Sequence, residues 1–254
     1  MARIKTAEDI EFLREGGRKL AIVLKKTAAS VRPGMRTKEL DILAERLIRE
    51  GGDVPSFLHY KPSKSDTPYP ASLCVSVNDE IVHAIPGDRV LEEGDIVGLD
   101  LGLAHHGRFV DSAVTVGVGE IDKEDQKLID TTREALSVGI RAARGGNTLG
   151  DIGYAIQDVA ARGKYGIPKE ISGHGVGHAV HEDPRILNTG KKGEGEKLEP
   201  GMVLALEPMF ARGSGEIVVD EGDGHSIRMR DGGRSAHFEH TILITEGEPE
   251  VLTK

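Results

Sequence analysis

The apolar positions at the start of the chain recur with a helical period. They follow Thr6 and Asp9, whose spacing is that of a capping box, and they predict a first helix ending near Ala29. The same spacing predicts a second helix from about Thr37 to a stop at Gly51. The chain therefore begins with a pair of amphipathic helices.

The second half repeats this order. Helical spacing recurs over residues 122–143 and about 149–163, and short apolar strands follow each helix pair. One strand motif occurs twice: residues 91–100 are LEEGDIVGLD and residues 198–207 are LEPGMVLALE. Each copy is a glycine turn and an apolar strand that ends in a carboxylate. We interpret the two copies as an internal duplication.

A histidine motif precedes each copy. His83 begins H-A-I-P and His181 begins H-E-D-P. Two diverged halves that face one another would bring both histidines and both terminal acids, Asp100 and Glu207, to one central site. A chance match of strand-forming residues is the alternative interpretation.

Residues 96–117 predict a β-hairpin. If it folds symmetrically about His105 and His106, Asp100 lies directly opposite Asp111, with Cβ atoms about 5 Å apart. Two like charges at that distance among apolar residues share a proton or hold a cation. A pair of solvent-facing acids is the alternative, and the two histidines are expected to be solvated turn residues.

Composition narrows the class of protein. The chain has 254 residues, 38% of them hydrophobic, which is enough for a substantial core. A net charge of -9 with dispersed Lys and Arg argues against nucleic acid or anionic membranes as partners. A single cysteine, no signal-peptide core and no apolar run of about 20 residues predict a cytoplasmic protein without disulfides.

Carboxylate and imidazole side chains suggest a metal site. The candidate ligands are Asp100, Asp111, His174, Glu207 and Glu239. Four carboxylates carry too much negative charge for one divalent ion and suit two ions about 3.5 to 4 Å apart. The oxygen-rich set favours Co(II), Mn(II) or Fe(II) over a structural zinc.

The segment 173–184 contains three histidines whose spacing could imitate a zinc site on a helix. Its alternating glycines argue against a helix, because each costs about 1 kcal/mol there relative to alanine. Spacing alone does not select the ligand, and His178 is expected to be a partly exposed polar residue.

Several motifs occur in a fixed order along the chain. They are N-D-E-I-V-H-A-I-P from Asn78, the Asp100 and Asp111 hairpin, G-H-G-V-G from Gly173, H-E-D-P from His181, E-P-M from Glu207 and F-E-H-T from Phe238. Their order and spacing resemble the type I methionine aminopeptidases, and the resemblance covers nearly the whole chain.

The resemblance implies the α/β pita-bread fold, in which two pseudo-symmetric halves surround a curved antiparallel sheet with helices on its outer face. Residues 1–254 would form a single catalytic domain with pseudo-repeats at about 6–118 and 122–245.

The resemblance also implies how the ligands are shared. Asp111 and Glu239 would bridge both ions, Asp100 would complete one ion, and His174 with Glu207 would complete the other.

The implied activity is metal-dependent removal of the N-terminal methionine from nascent proteins with a small second residue. A hydroxide bridging the ions would attack the first peptide bond. Glu207 would move protons, His181 would stabilise the oxyanion, and His83 would contact the leaving amide nitrogen. The expected partners are the N-termini of nascent polypeptides near the ribosome, and the enzyme is expected to be a monomer.

An apolar, polarisable pocket suits the thioether of methionine. The side chains expected around it are Tyr60, Tyr69, Cys74 and Phe238. Val180 and His225 depart from the family, which has an aromatic residue and a tryptophan at these positions, and residues 61–67 resemble an insertion beside the pocket. The departures predict a looser and more polar pocket.

Three alternatives share the fold. Xaa-Pro peptidases and creatinase-like enzymes carry a large additional N-terminal domain, for which this chain has little room. Type II methionine aminopeptidases carry a helical insertion, for which the short stretch between His174 and Glu207 has no space. Non-catalytic modules that bind peptides, histones or RNA typically lose metal ligands, whereas all five are present here.

Overall fold

A computed structural model describes residues 3–63 and 67–254. The helices are α1 (Ala7–Ser30), α2 (Thr37–Glu50), α3 (Lys123–Ala142) and α4 (Leu149–Gly163). The strands are β1 (Val54–Pro55), β2 (Leu73–Val77), β3 (Glu80–Val82), β4 (Ile96–His105), β5 (Arg108–Gly117), β6 (Gly173–Gly175), β7 (Glu182–Ile186), β8 (Val203–Leu206), β9 (Met209–Ala211), β10 (Ile217–Val219), β11 (Ile227–Met229), β12 (Ser235–His237), β13 (His240–Leu243) and β14 (Glu250–Val251).

The helices confirm the sequence pattern. The Asp9 amide donates to Thr6 Oγ1 at 3.2 Å and the Thr6 amide donates to Asp9 Oδ2 at 2.9 Å, which is the predicted capping box. α1 ends within one residue of Ala29, and the two helices of the second half occupy the predicted segments. Within the described part of the chain, no helix is both long and apolar enough to cross a membrane.

The strands pair antiparallel in four groups. In the first half, β5 lies along one edge of β4, and β1 and β2 pair with the other. The second half contains the five-stranded order β14-β13-β8-β6-β7, and the smaller groups are β10-β11-β3 and β12-β9. α1 and α2 pack on β2, β4 and β5, and α3 and α4 pack on strands of the second half. The two main apolar clusters lie beneath these helix pairs, although the first also contains Val203, Ala205 and Leu243 of the second half.

Hydrogen bonds join the two halves at β5. The Glu239 amide donates to the Ala113 carbonyl at 3.0 Å. Thr241 Oγ1 accepts from the Asp111 amide at 2.9 Å and donates to the Asp111 carbonyl at 2.8 Å. The acids on β5 and beside β13 are therefore held close together.

The predicted hairpin forms, but its register is shifted. His105 pairs with Arg108, so the turn lies at His106 and Gly107, Asp100 is opposite Ala113 and Asp111 is opposite Gly102. The prediction that the two acids are directly opposed is therefore wrong. They are diagonal neighbours, and they still share a face because the shift conserves the two-residue period of the strands.

The expectation for the turn histidines is wrong for His105. Its side chain is buried, with Nδ1 2.6 Å from Asp53 Oδ1, and Lys19 Nζ lies 3.3 Å from the other oxygen of that carboxylate. His106 is exposed and stacks on Phe12. His105 is buried because it pairs with the buried carboxylate of Asp53. The local sequence pattern of the hairpin does not reveal this distant partner.

Candidate metal centre and active site

The five predicted ligands lie on or directly beside different strands and line one cavity of about 790 Å³. Asp100 and Asp111 lie on the hairpin, and His174 lies on β6, opposite Ala205 of β8. Glu207 directly follows β8, and Glu239 precedes β13.

Three of the ligands are close enough to share an ion. One ligand atom from each of Asp111, His174 and Glu239 lies within 4.8 Å of the other two. Glu207 Oε1 lies 3.5 Å from His174 Nε2, which places this carboxylate beside the group. Asp100 lines the same cavity, with Cys74 opposite it on β2.

The donor set fits divalent cations. Asp100 Oδ1 and Glu239 Oε1 are buried without a hydrogen-bond partner among the described residues, a costly arrangement that a cation would relieve. His174 Nδ1 lies 2.9 Å from the Gly175 carbonyl, so this nitrogen carries the proton and leaves the Nε2 lone pair free to coordinate. Carboxylate oxygens with one imidazole suit Mn(II), Fe(II) or Co(II).

Burial shifts the protonation of the whole group. It raises the pKa of Asp111 to about 7, and burial with the nearby Asp111 charge raises the pKa of Asp100 well above its usual value. Burial also raises the pKa of Glu207 and Glu239, with repulsion from the aspartates adding to it. Burial lowers the pKa of His174 to about 3. The raised pKa values favour protonated carboxyl groups when no metal is bound, and a divalent cation would compete with these protons.

Both H-x-x-P histidines also line the cavity. The rings of His83 and His181 face the open space of the cavity, but the surrounding protein shields them from bulk water. This desolvation lowers the pKa of each histidine to about 4. The His181 ring lies 4.4 Å from the His174 ring, and its Nδ1 is 2.7 Å from the Tyr60 hydroxyl. Two neutral imidazoles thus face the space beside the candidate ligands.

The predicted methionine pocket is partly assembled. Tyr60, Tyr69 and Cys74 line the cavity, whereas Phe238 is absent from the described residues that line it. The Phe238 ring packs in the core of the second half, with the Arg133 guanidinium 4.9 Å above it. The expectation that Phe238 lines the pocket is therefore not met, because adjacency to Glu239 in the sequence does not place its ring at the cavity.

The two departures from the family take different positions. His225 lines the cavity, and its ring packs edge-on against Tyr69 with centroids 5.5 Å apart. Val180 is buried behind that wall, in a cluster with Phe57, Tyr69 and Cys74. Residues 64–66 of the predicted insertion lie outside the described residues. His178 is partly exposed, as expected, with Nε2 3.2 Å from Asp9 Oδ2.

Sequence reasoning missed several residues of the site. Phe57, Ile171 and Met209 line the cavity, and no local pattern identifies them. His237 lies beside Glu207, with its Nε2 3.6 Å from Oε2. Its position two residues before Glu239 would have placed it on the same face of an extended segment.

Comparison with known proteins identifies the class. The family model of metallopeptidase family M24 matches residues 11–246, and the chain belongs to this family. Among similar relatives, the methionine aminopeptidase 1 of Bacillus subtilis is 42% identical over 250 residues, covering 98% of each chain.

Solved structures agree with the family. Methionine aminopeptidase from Rickettsia prowazekii matches with a TM-score of 0.96 at 35% identity, and that from Thermotoga maritima with 0.94 at 40%, each over 100% of both chains. The prolidase from Pyrococcus furiosus shares the fold alone, with a TM-score of 0.78 at 24% identity over 99% of this chain and 65% of that chain. The predicted pita-bread fold is confirmed.

Proposed function

We propose that the protein removes the N-terminal methionine from polypeptides whose second residue is small, in a reaction that depends on two divalent metal ions. The observation that carries this proposal is the buried group of Asp111, His174 and Glu239, whose ligand atoms lie within 4.8 Å of one another in the wall of the cavity. The methionine aminopeptidases to which the chain is similar over its whole length support the choice of substrate.

Asp111 and Glu239 would bridge the ions, Asp100 would complete one, and His174 with Glu207 would complete the other. When bound, the ions would lower the pKa of a water molecule and polarise the scissile carbonyl. Co(II), Mn(II) and Fe(II) suit these ligands better than zinc does.

The protein's own groups then carry the proton transfers. Glu207 accepts a proton from the attacking water and passes it toward the leaving amine, as a carboxylate beside the ligand group can. If the Tyr60 hydroxyl donates to Nδ1 of His181 across their 2.7 Å contact, the proton of His181 resides on Nε2. That N–H can stabilise the oxyanion, and His83 on the same cavity wall meets the departing nitrogen.

The wall made by Phe57, Tyr69, Cys74 and Met209 suits a thioether side chain. Residues 1–254 would act as one catalytic domain with halves at about 6–118 and 122–245. We also propose a cytoplasmic monomer that meets its substrates as N-termini of nascent chains near the ribosome.

Metal depletion and restoration test the proposal. Purified protein is stripped with a chelator and assayed on Met-Ala-Ser, with Co(II), Mn(II), Fe(II) or Zn(II) returned separately. We expect activity only with metal, and none on N-acetyl-Met-Ala-Ser, which lacks the free amine. Undiminished hydrolysis by the stripped protein, or equal cleavage of the acetylated peptide, would contradict the proposal.

A further inference from the structure

His237 is a buried imidazole behind the candidate metal centre. Its side chain is 3% exposed, and its Nε2 lies 3.6 Å from Glu207 Oε2 and 3.9 Å from Glu239 Oε2. Nε2 has no hydrogen-bond partner among the described residues. A buried nitrogen left without a partner is costly, so its position calls for a role.

The backbone around His237 is fixed on both sides. β12 pairs with β9 so that His237 lies opposite Met209, two residues beyond Glu207. Thr115 Oγ1 accepts a hydrogen bond from the His237 amide and donates one to its carbonyl, both at 2.9 Å. The imidazole is thus held beside Glu207 by the strands themselves, and His237 is not among the described residues that line the cavity.

Each oxygen of Glu207 faces a different imidazole. Oε1 lies 3.5 Å from His174 Nε2, and Oε2 lies 3.6 Å from His237 Nε2. Because His174 carries its proton on Nδ1, its Nε2 has no proton to donate to Glu207. Among the described residues, no hydrogen bond fixes the proton of His237 on Nδ1, and the 3.6 Å between its Nε2 and Glu207 Oε2 is just beyond the usual range of a hydrogen bond.

We propose that His237 is a positioning residue, which donates a hydrogen bond from Nε2 to Glu207 Oε2 and thereby aims Oε1 at the ion that Glu207 would share with His174. The inference rests on the proposed metal centre. Hydrogen bonds to metal-binding carboxylates fix their orientation, and losing such a partner typically weakens metal affinity or activity about 10 to 100-fold.

The test compares two substitutions at this position. His237→Leu removes the donor, and His237→Gln retains one at similar reach. His178→Leu is the matched control, because His178 also contacts carboxylates but does not line the cavity. Equilibrium dialysis with Mn(II) gives affinity and stoichiometry. We expect His237→Leu to bind about 10 to 100-fold more weakly with unchanged stoichiometry at saturation, and His237→Gln and His178→Leu to bind like the unmodified protein.

Two outcomes would overturn the inference. An unchanged Mn(II) affinity in His237→Leu would show that the hydrogen bond has no role in metal binding. Loss of one bound ion at saturation would show that His237 is itself a metal ligand. If His237→Leu does not fold, imidazole nitrogen NMR of the unmodified, zinc-loaded protein decides: a protonated Nε2 on His237 supports the inference, and a metal-bound Nε2 refutes it. Failure of the unmodified protein to bind Mn(II) would instead refute the proposed function.

Discussion

Asp111 connects the metal centre to both halves of the molecule. Its carboxylate lies close to His174 and Glu239. Its backbone amide and carbonyl form hydrogen bonds with the Thr241 hydroxyl of the second half. Among the described residues, Asp100 has no hydrogen bond to the second half, and it lies diagonally across the hairpin from Asp111. The two acids should therefore contribute differently to metal binding.

We predict that Asp111→Ala and Glu239→Ala lose more bound metal than Asp100→Ala, because each of these two carboxylates would bridge both proposed ions and its removal would leave both charges uncompensated. Metal analysis of the three purified variants, after identical dialysis, measures the occupancy. Equal occupancy in all three would rule out bridging by Asp111 and Glu239.

His181 should act on the transition state and not on the metal. We predict that His181→Ala lowers kcat by about 10²- to 10³-fold, a loss of about 2.7 to 4 kcal/mol, while both ions remain bound. Steady-state kinetics and metal content are measured on the same preparation, with His178→Ala as the control. A His181→Ala protein that is purified without metal would show that His181 is a ligand.

The sequence could identify residues of the candidate site only where they belong to a recognisable motif. Asp100, Glu207 and both H-x-x-P histidines could be predicted as site residues, because an acid after an apolar strand and a histidine before a proline occur in both halves. Asp111 followed from the hairpin, whereas His174 and Glu239 have no such repeated signal. Phe57 and His237 were missed because their places in the site depend on long-range strand pairing. Phe238 was misplaced because adjacency to a ligand was taken for proximity to the cavity.

At the scale of elements, the hairpin shows what periodicity can and cannot determine. Alternation placed Asp100 and Asp111 on one face, which the structure confirms, but the turn position that sets register depends on burial of His105 against Asp53. The position opposite Asp111 on the hairpin requires glycine. A Cβ at Gly102 would lie 2.2 Å from Ser56 Oγ and 2.8 Å from Phe57 Cε1. β4 is therefore packed tightly against the segment that supplies part of the cavity wall.

We predict that Gly102→Ala destabilises the protein by about 1 to 3 kcal/mol, because the added methyl group overpacks the contact with Ser56 and Phe57. Gly98→Ala on the same strand is the control, since its Cβ would have 3.6 Å to the nearest heavy atom. Urea unfolding of both variants gives the free energies. Equal stability of the two would contradict the packing described here.

At the scale of the whole molecule, the duplicated order of helix pair and sheet could be predicted from the chain, because helical spacing and the repeated strand motif are local signals. The division of the strands into four antiparallel groups could not, since it depends on pairings between distant segments. Convergence of both halves on one cavity concentrates acids and imidazoles in a buried space, which makes global stability depend on pH.

We predict that the metal-free protein loses stability as pH rises above about 6.5. Between about pH 4 and 6.5, the four carboxyl groups of the candidate metal centre with raised pKa favour the protonated form in the folded state, while five histidines with lowered pKa hold protons in the unfolded state. The two effects nearly cancel. Above 6.5 the unfolded histidines are neutral and only the folded carboxyl groups retain protons, so stability falls.

Thermal melts of the chelator-treated protein at pH 6.5 and 8 test this sign. We expect a lower Tm at pH 8 and a smaller difference in Asp111→Asn, which removes one raised carboxyl group. A higher Tm at pH 8 would mean that the carboxyl groups are ionised in the folded, metal-free state.

The account depends on two divalent ions shared between the halves, and anomalous X-ray diffraction from manganese-loaded crystals tests this most directly. We expect two anomalous peaks in the cavity, both contacted by Asp111 and Glu239, with Asp100 completing one and His174 and Glu207 completing the other. A single peak at saturating manganese, or peaks that do not contact Asp111 and Glu239, would contradict the account.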